Sequence, residues 1–108
     1  MKQYLIIETR DPIECRDVDA MASLAADLAR SGASASVLLT DNGVFAARIG
    51  AATDALDVLS SAGVGVFADN FSLSERGIES ASLAPGVRPA TVDLVIDRLL
   101  EGASVMWR

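Results

Sequence analysis

The chain has no histidine and a single cysteine, Cys15. Without imidazole there is no Ser-His-Asp or Cys-His nucleophile pair, no histidine-based metal site and no side chain whose ordinary titration lies near neutrality. Chemistry falls to carboxylates, hydroxyls, arginines, backbone amides or Cys15. Arg10, Arg16 and the start of a helix would favour a Cys15 thiolate, while Asp11, Glu14 and Asp17 oppose it, so Cys15 reads either as a reactive thiol or as a loop residue. Asp41 and Asp69 could share a proton or hold a hard cation. Asp41-Asn42-Gly43 and Asp69-Asn70-Phe71-Ser72 are also ordinary turn and cap chemistry, and no third acid stands at a fixed spacing, so no metal is expected. Gly43, Gly50, Gly63 and Gly65 form neither G-x-G-x-x-G nor a Walker loop, and no cofactor is implied. Arg76, one turn beyond Asn70, could meet an anion at a helix amino end or pair with local carboxylates. Trp107 and Phe71 read as packing or interface residues before ligand platforms.

The elements that must position these residues follow from the apolar pattern. Tyr4–Ile7, a continuous apolar run closed by Glu8-Thr9-Arg10-Asp11-Pro12, predicts a central strand covered on both faces. From Asp17 to Arg30, apolar residues at Val18, Met21, Ala22, Ala25, Leu28 and Ala29 share one helical face, with Gly32 just beyond. Val37–Leu39 is a second strand, 44–49 a helical turn, Thr53-Asp54 the opening of a helix ending at Gly63, and Val64–Phe67 a third strand. Ser72-Leu73-Ser74-Glu75 fits a capping box closed by Gly77. Ile78–Leu83 is expected to be the fourth strand and Pro85-Gly86 a type II turn. Pro89 is expected in the first turn of a last helix, with Val92, Val95, Ile96, Leu99 and Leu100 as its buried face. Ser104–Trp107 closes the sheet.

Strands alternating with helices require right-handed crossovers and hence parallel pairing. The expectation is one α/β domain over residues 1–108, a flavodoxin-like three-layer α/β/α fold with a mostly parallel sheet of about five strands. Parallel strands share a carboxyl edge, so Thr9-Arg10-Asp11, Thr40-Asp41-Asn42 and Asp69-Asn70 with Ser72 should meet there. Arg10, Asp41, Asn42, Asp69, Asn70, Ser72 and Arg76 are the expected binding residues, and Cys15 the one candidate catalytic residue.

Composition narrows the partners. Nine basic against 15 acidic residues give a net charge of −6, which opposes phosphate-backbone attraction and argues against nucleic acid. No apolar run approaches the roughly 20 residues of a bilayer span, and the amino end lacks a long apolar signal core, so a cytoplasmic protein is expected. One cysteine leaves no internal disulfide and suits a reducing compartment. Apolar residues at 51% exceed what a small monomer needs, and some are expected to cover a subunit interface.

Asp41-Asn42-Gly43-Val44 through Arg48 and Gly50, Gly63-Val64-Gly65-Val66, Ser72 to Arg76-Gly77-Ile78, and Leu83-Ala84-Pro85-Gly86-Val87 together resemble the DsrE/DsrF-like family. The opening Tyr4–Ile7 with Arg10-Asp11-Pro12 extends the resemblance over nearly the whole chain. These are small sulfur-metabolism proteins, among them TusD/TusC-type sulfur-relay subunits and the YchN type. The resemblance implies a flavodoxin-like fold, association into trimers or hexamers or with related subunits, and in some members a cysteine after the third strand that carries sulfur as a persulfide. Here the matching stretch, Phe67-Ala68-Asp69-Asn70-Phe71-Ser72, has no thiol, and an alcohol cannot hold sulfane sulfur. The reading is a non-catalytic oligomeric partner or scaffold in intracellular sulfur transfer, binding its own kind or a sulfur-carrier protein. The alternatives are a sulfurtransferase or sulfur carrier using Cys15, and a small-ligand-binding regulator using the strand-end cleft.

Overall fold

The computed structural model describes residues 1–51 and 53–108. Its elements, in chain order, are β1 (Gln3–Glu8), α1 (Asp17–Arg30), β2 (Ser34–Leu39), α2 (Ala55–Ser61), β3 (Gly65–Asp69), α3 (Asn70–Glu75), β4 (Val87–Ala90), α4 (Asp93–Leu100) and β5 (Ser104–Trp107). Short 3-10 turns occupy Asp41–Ala47 and Ser80–Ser82. All pairings between strands are parallel, in the order β4-β3-β2-β1-β5. The expected layered α/β architecture is present. The strand order differs from the flavodoxin order 2-1-3-4-5, because β1 to β4 advance steadily in one direction and the chain then returns past them to put β5 beside β1.

That single reversal decides the layers. Right-handed crossovers place the helices of a steady advance on one face and the helix of the return on the other. Ile6, Val37, Leu39, Val66 and Ala68 accordingly pack against α1, α2 and α3 through Val18, Met21, Ala25, Leu59 and Leu73. Leu5, Ile7 and Leu38 point the other way, and Leu94 and Val95 of α4 pack on them. Alternation along β1 therefore sends Ile6 and Glu8 toward α1, and Leu5 and Ile7 toward α4.

Four sequence expectations are corrected. The expected strand at Ile78–Leu83 is instead a loop with a 3-10 turn at Ser80–Ser82 and one antiparallel bridge, Arg48 to Leu83: only its ends, Ile78 and Leu83, pack on the core, and Glu79, Ser80 and Ser82 between them give a strand little to bury. Strand β4 instead contains Pro89, which an edge strand accepts because one side of its backbone has no ladder partner. α3 begins before the proposed capping box. Asp69 is its N-cap, accepting the Ser72 amide proton at 2.9 Å, so Ser72 lies inside the helix and not at its cap. Finally, the expected buried face of α4 is largely outside: Val92 is 65% exposed, Ile96 49%, Leu99 55% and Leu100 82%.

No helix among the described residues is long and apolar enough to cross a membrane.

Candidate functional site

The carboxyl edge of the sheet carries three separate groups of polar side chains. The first surrounds a cavity of about 570 Å³ between the ends of β1, β2, β3 and β5 and the start of α4. Ile7 and Leu38 form its floor, and Phe71, Val92, Val95 and Trp107 its apolar walls. Polar groups enter from one side, at Thr40, Asp69, Asn70 and Thr91. Behind that side lies a fixed network around the buried Ser72 hydroxyl. It donates to Asp69 Oδ2 at 2.7 Å and accepts from the Asp41 amide at 2.9 Å. Its one proton is thereby committed, so Thr40 Oγ1, 3.2 Å away, is the donor to Ser72. The network ties the loop after β2 to the loop after β3 and holds Asp69 at the cavity edge.

In the second group, Arg76 donates from Nε and Nη2 to Asn42 Oδ1 at 3.1 and 3.0 Å, and from Nη1 to the Ser72 carbonyl at 3.3 Å. Most of its donor fork is thus spent inside the protein, which leaves little for an anion. Asp41, beside it, is exposed and adopts φ 51°.

The third group joins β1, α1 and the last residue of β5's exit. Arg10 donates from Nη1 to Cys15 Sγ at 3.6 Å and from its amide to Glu8 Oε2 at 3.2 Å. Arg108 holds Asp17 with two hydrogen bonds, 3.1 and 2.8 Å long. Glu8 is fully buried, and its Oε1 has no partner among the described residues when the carboxylate is charged. Burial first, and a hydrogen bond with Asp17 second, push the Glu8 carboxyl up to about 7. Asp17 moves below its ordinary value, chiefly through Arg108 and then through Glu8. Below about pH 7 Glu8 holds a proton that Asp17 can accept, and Arg108 balances the charge that remains.

Of the expected residues, Asp69 and Asn70 line the cavity and Ser72 supports it from behind. Asn42 and Arg76 pair outside it, and Arg10 and Cys15 form part of the third group. Cys15 is not part of the cavity that Asp69 lines, and none of residues 9–16 lines it. Among the described residues no cluster of three or more potential ligands could hold a metal ion.

No family model matches the chain, and no curated protein matches it in sequence. Solved structures do. The YchN protein of E. coli superposes over 100% of both chains with a TM-score of 0.88 at 20% identity. The fold is that of YchN. A protein of unknown function from Methanobacterium thermoautotrophicum, MTH1491, aligns over 99% of this chain and 98% of its own, with TM-score 0.78 and 21% identity. BT1422 from Bacteroides thetaiotaomicron, also of unknown function, gives 0.79 at 14% identity over 99% and 95%. At such identities the likeness shows the fold alone, and at that level it agrees with the DsrE/DsrF-like resemblance.

Within this YchN-type fold, sequence reasoning missed Glu8, Asp17 and Arg108. One signal was available. Glu8 directly ends an apolar run assigned to a strand with neighbours on both sides, so its side chain had to enter a covered layer. Thr91 and Val95 as cavity residues carried no local signal, since only the return of α4 across the sheet brings them to the strand ends.

Proposed function

We propose that the chain is a non-catalytic, self-associating DsrE/DsrF-like protein that serves as a partner or scaffold in intracellular sulfur transfer. The observation that carries this reading is the outer stripe of α4. Val92, Ile96, Leu99 and Leu100 recur at helical spacing and are exposed, next to exposed Trp107 and Phe71. A stripe of that kind marks a protein contact in a small soluble domain. The loop after β3, where some members of the resembled family carry a cysteine, offers Asp69-Asn70-Phe71 and so fits a partner role better than a carrier role. Light scattering at micromolar concentration tests it: a trimer or hexamer, alone or with a related subunit, is expected, and a strict monomer that captures no such subunit overturns the reading.

A second reading has its own observation, the Arg10 guanidinium donating to Cys15 Sγ. A Cys15 thiolate held there would attack the outer sulfur of a persulfide donor, forming Cys15–S–S⁻ and releasing the donor thiolate. Mass spectrometry after incubation with such a donor separates the two. A gain of one sulfur that disappears in Cys15→Ser favours the carrier, and no gain favours the scaffold.

A further inference from the structure

The strand-end cavity has a composition that selects a ligand class. Its volume of about 570 Å³ falls inside the roughly 300–1,000 Å³ range of small-molecule sites. The lining is apolar apart from Thr40, Asp69, Asn70 and Thr91, and it includes Asp69 but no Lys or Arg. The two hydrogen bonds that fix Asp69 both reach Oδ2, and neither uses Oδ1. The Thr91 hydroxyl accepts from the Asp93 amide at 3.3 Å and keeps its own proton to offer.

From this we infer that the cavity is a binding site for a small, mainly apolar, ring-containing molecule with an amine or other hydrogen-bond donor directed at Asp69. Trp107 and Phe71 supply aromatic walls on which such a ring packs, and a cation gains further from their faces. Anions are disfavoured twice, by the Asp69 carboxylate and by the chain's net charge of −6. Phosphates, nucleotides and carboxylic acids are therefore poor candidates.

A second copy of the chain is the competing occupant, and the geometry separates the two. Ile96, Leu99 and Leu100, the part of the α4 stripe nearest its carboxyl end, do not line the cavity, whereas Val92 and the adjoining Trp107 and Phe71 belong to both surfaces. A neighbour seated on the stripe can leave the cavity open. The inference does not depend on the sulfur-transfer reading.

Trp107 is the only tryptophan and lines the cavity, so its indole N–H gives one assignable proton–nitrogen resonance. The experiment titrates three isosteric probes, 2-(1-naphthyl)ethylamine, 2-(1-naphthyl)ethanol and 1-naphthylacetate, into the assembled ¹⁵N-labelled protein. The amine and the alcohol should move the Trp107 resonance saturably, the amine with a dissociation constant at least about tenfold below that of the acetate. Asp69→Asn, which can still cap α3, should bring amine and alcohol to within about threefold of each other. The inference is overturned if the acetate binds as tightly as the amine, or if Asp69→Asn leaves the amine's preference intact. It is equally overturned if the resonance responds to protein concentration but to none of the probes, which would assign the cavity to a second copy.

Discussion

The two faces of the sheet are built to different standards. The face toward α1, α2 and α3 is closed: Ile6, Val18, Met21, Val37, Leu39 and Leu59 are essentially inaccessible, and even a carboxyl group, Glu8, is enclosed with them. The opposite face is covered by one eight-residue helix that buries none of its own residues fully. Beside it, Phe67 is sheltered by the guanidinium groups of Arg88 and Arg98, at 5.1 and 5.9 Å from the ring centroid. Both faces bury apolar residues within the chain, but the α4 face also leaves Ile96, Leu99 and Leu100 exposed. The difference teaches that amphipathic periodicity identifies an apolar surface without saying whether the chain itself will cover it.

Substitutions sort along this contrast. The largest loss is expected on the closed face: Leu59→Ala should cost about 2–5 kcal/mol, read as a lower urea midpoint at unchanged slope. Gly43→Ala should cost about 1–3 kcal/mol, because a Cβ there would sit against the Glu8 carbonyl oxygen and backbone cannot move aside cheaply. The Glu8 carbonyl carbon, 3.0 Å from such a Cβ, adds to the crowding.

Next comes the buried carboxyl. The folded pKa of Glu8, about 7, lies above its ordinary 4.5, so between those values the folded state holds a proton that the unfolded state has released. This contribution to stability is fully present below the unfolded value and is lost as pH rises through about 7. Asp17 has the opposite sign: its lowered pKa contributes above 3.8 and is lost as pH falls. Wild-type stability should therefore decline by about 1–3 kcal/mol between pH 5 and pH 8.5, and Glu8→Gln should flatten that decline. Urea midpoints at the two pH values decide it, and an equal decline in Glu8→Gln would show that another group is responsible. The smallest effect on the folded chain itself belongs to the open face: Leu99→Ala should change monomer stability by less than about 0.5 kcal/mol while weakening assembly.

Much of the architecture could be read in advance because its signals are local. Continuous apolar runs at Tyr4–Ile7 and Val37–Leu39 fall within β1 and β2, the run at Val64–Phe67 overlaps β3, and α1 contains the periodic stretch from Val18 to Ala29. What escaped was non-local. Strand order depends on where the chain reverses, and nothing within a crossover records that. Pro89 looks like a helix opener until the strand it occupies is known to be an edge. The Ser72-to-Glu75 pattern fits a capping box by itself, but Asp69, three residues earlier, offers a carboxylate to the same amide. The candidate site shows the same division. Its loops were placed at one rim by parallel pairing, but each loop's choice of face separates Asp69 from Arg10 and Cys15, and α4 arrives from far along the sequence to complete the cavity.

The open face is the part of the molecule on which function is argued to rest, and sedimentation velocity of wild type beside Ile96→Glu, at equal micromolar concentration, tests it most directly. Wild type should sediment as a defined multiple of the chain and Ile96→Glu as a monomer with an unchanged urea midpoint. Identical sedimentation of the two proteins would contradict the account.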